Sequence, residues 1–127
     1  MGFVQIIEYQ TSKADEMQKI GEEWVAYGVG NMIASKSHNF AGGATREGVI
    51  PRFTFTEQGD GRFLVTTVEA TPTYIDATAG VLRLVPATAA AVKDPQTKDR
   101  PRVRKARART VEVLTSRGAA EDGLVVH

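Results

Sequence analysis

His38, in the run SKSHNF, is the only internal histidine and the first residue whose chemistry invites a role. Histidine titrates near neutrality, so it could act as a general base or bind a haem iron beneath a glycine-rich flap. The plainer reading is a solvated loop side chain. No second histidine, and no Asp or Glu at ligand spacing, accompanies it, so neither a metal site nor a cofactor is expected. The chain has no cysteine, which excludes thiolate ligands, a catalytic thiol and a disulfide scaffold. His127 is terminal and reads as frayed, and Glu22 and Glu23 read as a solvated face. The glycines fit neither phosphate-loop spacing, and no G-x-S-x-G elbow occurs.

The sharpest charge feature is residues 98–109, KDRPRVRKARAR, with seven Lys or Arg in twelve positions. As an extended strand it would put Arg102 and Arg104 on one face, and Arg107 and Arg109 on the other. Such a run can meet phosphates or nucleic acid. It can equally be an edge strand whose charges discourage sheet-to-sheet aggregation. No aromatic residue is interleaved with the charges, which weighs against single-strand binding.

Other elements must position these groups. Residues 3–9, FVQIIEY, are mostly apolar and read as a strand. Ser12 can cap a helix, with Asp15 and Glu16 in its first turn. Met17, Ile20, Trp24 and Tyr27 then recur at helical spacing, and Gly28 and Gly30 end the run. Residues 28–50 hold five glycines and no sustained period, so a surface loop or a flap over a ligand cavity is expected.

Residues 52–57 and 62–69 read as a hairpin around QGDG. A three-residue loop gathers Phe53, Phe55, Phe63 and Val65 on one face. A two- or four-residue loop puts Leu64 and Val68 beside Phe53 and Phe55 instead. Thr71 and Pro72 suit the start of a second helix, with a stripe running from Tyr74 through Val81 to Val85. Pro86 ends it, and residues 87–93 can form a further short helix. Residues 102–114 read as a last strand. Residues 116–127 read as a flexible tail in which Leu124, Val125 and Val126 can add a short strand.

Length, with 42% apolar and 24% charged residues, fits one domain over residues 1–115. No stretch suits a membrane span, and Gln5 and Glu8 interrupt any signal-peptide core, so a cytoplasmic protein is expected. A net charge of +1 argues neither for nor against a polyanion partner.

The element order predicts an α+β fold, the ferredoxin-like split βαβ arrangement, with helices on one face of an antiparallel sheet. Apolar residues on both faces of the first strand and hairpin ask for a second cover, and a second copy of the chain supplies it. The opening FVQIIEYQTSKADEMQKIGEEW resembles the start of small bacterial proteins of the dimeric α+β barrel superfamily, the antibiotic-biosynthesis-monooxygenase-like group. The hairpin and the Thr-Tyr-x-x-Ala segment after it are also similar. The resemblance is close over residues 3–27 and looser over 51–93, and it departs at 28–50 and after 94. It implies a homodimer whose sheets meet. The superfamily includes cofactor-free oxygenases, haem-degrading enzymes and isomerases, so no catalytic residue is carried over.

The leading expectation is therefore a small-molecule-binding dimer, with a cofactor-free oxygenase acting on an apolar or aromatic substrate as its sharper form. Trp24, Tyr27, Phe53 and Phe55 would wall the cavity, and Tyr9 or His38 would be its polar handle. The alternative is a non-catalytic structural dimer, or a nucleic-acid-associated one using residues 98–109.

Overall fold

The computed structural model describes residues 16–29, 46–77 and 80–127, and the backbone of residues 4–6. Among the described residues it is α+β, with mostly antiparallel strands and two helices. Strands β1 (Val4–Ile6), β2 (Met17–Ile20) and β3 (Glu23–Ala26) form one small sheet in the order β1-β3-β2. The second sheet is built on the long hairpin of β4 (Glu47–Glu57) and β5 (Phe63–Asp76). Strand β6 (Arg83–Pro86) pairs antiparallel with the end of β5, and β7 (Leu124–Val126) pairs parallel with its middle. Helices α1 (Ala89–Lys93) and α2 (Arg100–Thr115) lie between β6 and β7 in the chain.

The helix expected from Ser12 is corrected wherever it is described, because β2 and β3 form a hairpin there. Their register pairs Met17 with Ala26 and Ile20 with Glu23, leaving only Gly21 and Glu22 in the turn. Gly21 takes φ +61° and Glu22 does not, the pattern of a type II′ turn with glycine first. Strand alternation then puts Met17, Trp24 and Ala26 on the buried face and leaves Ile20 about half exposed. Of the apparent helical stripe, Met17 and Trp24 are buried while Ile20 is not, so the hairpin and not a helix sets the burial here.

The two structures assign opposite signs to one substitution. An added Cβ at Gly21 meets nothing, so any cost is backbone strain alone. In the hairpin, Gly21→Ala should lower stability by about 1–2 kcal/mol. In a helix it would raise stability by up to about 1 kcal/mol. Thermal denaturation of the variant reads the sign directly.

The β4–β5 hairpin forms as expected and extends beyond the segments read from the sequence. Glu57 pairs with Phe63, and Phe55 with Val65, so Phe55, Phe63 and Val65 share a face as in the three-residue-loop register. A bulge between Thr54 and Phe55 then shifts the register and brings Val68 opposite Phe53. Both alternatives contribute, one on each side of the bulge.

The second expected helix is also corrected. Residues 71–76 continue β5, where Thr71, Thr73 and Ile75 suit a strand, and residues 83–86 form β6. Gly80, at φ +74°, lies in the connection, and Val81 and Leu82 are exposed rather than buried. The short helix is present as α1, capped by Thr88, whose Oγ1 accepts from the Ala91 backbone N–H at 3.1 Å.

Residues 102–114 are helix rather than strand. Val103, Ala106, Thr110 and Leu114 form a buried stripe at spacings of three, four and four, and a proline in the first turn suits the helix start. This stripe exists only at helical period, since the extended pattern leaves the charges on both faces.

The segment expected as a flexible tail is packed. Ala119 and Leu124 are buried, and the His127 backbone N–H donates to the Ala70 carbonyl at 3.0 Å. One core gathers Met17, Trp24, Val49, Val68, Leu114 and Leu124 between the two sheets and the end of α2. A smaller one joins Tyr74 to Ala87, Val103 and Ala106, which places both helices against the Tyr74 face of the larger sheet.

Candidate functional site

A groove of about 320 Å³ opens between the β2–β3 hairpin and β5. Trp24, Leu64, Val65 and Val68 form its apolar part, and Lys19, Glu22, Thr66 and Asp122 its polar part. The tight Gly21 turn sets this geometry. It puts Lys19 directly across from Trp24, so an ammonium and an indole share one face of the small sheet. Trp24 is only 4% exposed, yet it borders the groove. The groove is more polar than a typical site for a small organic ligand, and Trp24, Leu64, Val65 and Val68 form its apolar part.

A second, more open cavity of about 510 Å³ lies beside the start of α1, lined by Arg52, Thr71, Thr88, Val126 and His127. At its edge Arg52 grips Glu69 through two hydrogen bonds of 2.7 and 2.8 Å. His127 Nε2 meets the same carboxylate at 2.7 Å. Hydrogen bonds from Arg52 and then His127 hold the Glu69 carboxyl at a pKa of about 2, below its ordinary 4.5. A carboxyl lowered on folding stabilises the fold above its unfolded pKa, and that contribution is lost as pH falls through the folded value. Wild type should therefore lose more stability than Glu69→Gln between pH 4.5 and about 2. Melting curves across that window should converge at the acid end; parallel curves would show that the clasp contributes nothing.

Two further acids anchor the scaffold. Glu47 on β4 is buried and pairs with Arg109 of α2, and Glu16 is buried and pairs with Arg117. Burial pushes the Glu47 carboxyl up, and Arg109 and Lys105 oppose that shift. Both pairs link elements far apart in sequence.

The residues expected to form a site are only partly brought together. Trp24 lines the groove. Phe53 packs against the core behind it, and Phe55 is half exposed near the hairpin end. Tyr27 lies outside the groove lining, where its hydroxyl donates to Gln18 Oε1 at 3.0 Å and Arg117 sits 5.1 Å above its ring. Tyr9 and His38, with the flap expected to carry His38, lie outside the described residues.

Lys19, Glu22, Leu64 and Asp122 were not legible as lining residues, because they converge only when the hairpin turns at Gly21. The Arg52–Glu69 clasp carried a signal, since opposite charges face each other across the hairpin once its register is known.

Among the described residues, no cluster of His, Asp and Glu could hold a metal ion, and no helix is long and apolar enough to cross a membrane. No family model, no curated protein and no solved structure matches the chain.

Proposed function

We propose that this chain is a small-molecule-binding α+β protein that holds an apolar or aromatic ligand in the groove beside Trp24. The observation that carries the reading is a nearly buried indole bordering an open groove, with aliphatic side chains beside it and the charged Lys19, Glu22 and Asp122 within the same lining. Aromatic ligands pack against such a surface, and these charges can orient a polar substituent. A cofactor-free oxygenase would in addition need a base to ionise its substrate. Glu22 and Asp122 are the lining carboxylates available for that proton.

The active form we propose is a homodimer, in the manner of a ferredoxin-like α+β barrel. The support is the sheet face away from the helices. The register places Ile50, Leu84 and Val125 on that face, and all three are exposed, whereas Thr73 and Ile75 on the same face are already buried within the chain. A second copy would cover them. Sedimentation at micromolar concentration should then give about twice 13.8 kDa, reverting to one chain in Ile50→Lys. A monomeric wild type would remove the dimer and leave the groove reading intact.

The groove is tested with N-phenyl-1-naphthylamine, a neutral aromatic dye. Wild type should bind it saturably at one site per chain. Leu64→Glu, which places a carboxylate in the wall at a position 42% exposed, should weaken binding at least tenfold without altering the melting temperature by more than a few degrees. Equal binding by both proteins would place the dye elsewhere and remove the assignment.

A further inference from the structure

The basic segment forms the first two-thirds of α2, so the explanation as a charged edge strand no longer applies. The six of its cations that lie within α2 fall into two rows on either side of the buried stripe. Arg102, Lys105 and Arg109, at spacings of three and four, form the row that faces acids. Asp99 pairs with Arg102 at 3.2 Å, Glu47 pairs with Arg109, and Lys105 also acts on Glu47. Arg100, Arg104 and Arg107, at spacings of four and three, form the other row. None of these three has an acidic partner among the described residues; the Nε of Arg107 is buried, as is that of Arg109 in the first row, so the terminal guanidinium nitrogens of Arg107 are the ones left for a ligand.

Arg100 of the second row is also unfavourably placed for the helix itself. The first turn of α2 contains no acidic residue, and Asp99 makes no side-chain cap hydrogen bond. Cations at that end oppose the helix dipole, which favours negative charge there. Arg100, in the first turn and without an acidic partner among the described residues, therefore costs helix stability, and an anion bound beside it offsets that cost. With a rise of about 1.5 Å per residue the row spans roughly 10 Å, long enough to meet more than one phosphate.

We propose that the Arg100–Arg104–Arg107 row of α2 docks on the phosphate backbone of a nucleic-acid duplex, without reading its sequence. Arginine suits this because its planar fork donates two parallel hydrogen bonds to one phosphate. The chemistry of the helix selects among polyanions. An interfacial membrane helix needs an apolar face to insert, and the apolar stripe of α2 is already buried in the protein. No aromatic residue lies on α2 or follows Tyr74 anywhere in the chain, so stacked single-strand bases find no platform there. What remains is contact with phosphates that carries no sequence preference. This inference stands on α2 alone and is independent of the groove.

The test uses the full chain and a labelled 20-base-pair DNA duplex of arbitrary sequence, followed by fluorescence anisotropy from 50 to 200 mM salt. Three phosphate contacts contribute about −2.7 to the log–log salt slope, a roughly forty-fold loss of affinity over that range. The triple variant Arg100→Gln/Arg104→Gln/Arg107→Gln should lose that share of the slope, and its affinity at 50 mM salt should fall at least tenfold. Arg62→Gln, a control in the hairpin turn far along the chain, should leave both unchanged. Circular dichroism melting of the triple variant checks that the helix persists, which glutamine's helix propensity favours. No binding at 50 mM salt, binding untouched by the triple variant, or tighter binding to vesicles containing phosphatidylserine than to the duplex would each overturn the proposal.

Discussion

Trp24→Ala should destabilise the protein by about 3–5 kcal/mol, the usual cost of deleting a buried indole. Trp24 is 4% exposed and belongs to the core shared by Met17, Val49, Val68 and Leu124. It stands on the central strand of the smaller sheet, so its removal loosens the contact between the sheets and not merely one edge. For a domain of this length the melting temperature should fall by roughly 10 °C or more. A fall of only a degree or two would mean that β3 is not packed against the larger sheet. Trp24→Phe keeps most of the apolar area and should recover much of the loss, which separates packing from a specific indole requirement.

Leu114→Ala should cost about 2–5 kcal/mol. Leu114 is wholly buried at the last turn of α2 and packs into the core that Trp24 shares. The same substitution tests how the basic segment folds. In the helix, Leu114 follows Val103, Ala106 and Thr110 on one stripe, so losing it should shift the melting of helical circular dichroism along with the whole transition. Glu112→Ala, exposed on the same helix, should change stability by about 0.5 kcal/mol or less. Equal effects from the two would contradict the buried stripe.

The comparison of these two residues shows what was legible in the sequence. Trp24 belongs to the apolar stripe that the sequence offers, and it is a core residue, although it sits in a strand where the spacing predicts a helix. A large aromatic residue is buried in either conformation, so its fate depended little on the local structure. The conformation itself depended on Gly21, which suits a helix poorly and a two-residue turn well, and the helical spacing of Met17, Ile20, Trp24 and Tyr27 masked that signal. The hairpin was legible because QGDG and its flanking β-branched and aromatic residues agree with each other. Its bulge was not, since an extra residue leaves no mark on composition.

At residues 102–114 the local pattern was read at the wrong period. Alternating Arg and apolar residues imitate a strand, while the small buried residues Ala106 and Thr110 give the helical stripe little hydrophobic weight. The groove was legible only through Trp24. Its other walls come from β2, β5 and the turn before β7, and their meeting is a tertiary fact. The same holds for the Arg52–Glu69–His127 clasp, whose members are separated in sequence and are brought together by hairpin register and by the pairing of β7 with β5.

The chain carries one tryptophan, and it is the residue on which the functional reading turns. Energy transfer from Trp24 to bound N-phenyl-1-naphthylamine therefore tests ligand position without a second reporter. The account predicts saturable quenching of Trp24 emission with matching sensitised dye emission at one dye per chain, both largely lost in Leu64→Glu. Dye that binds while Trp24 emission stays unchanged, or transfer that is equal in wild type and Leu64→Glu, would contradict it.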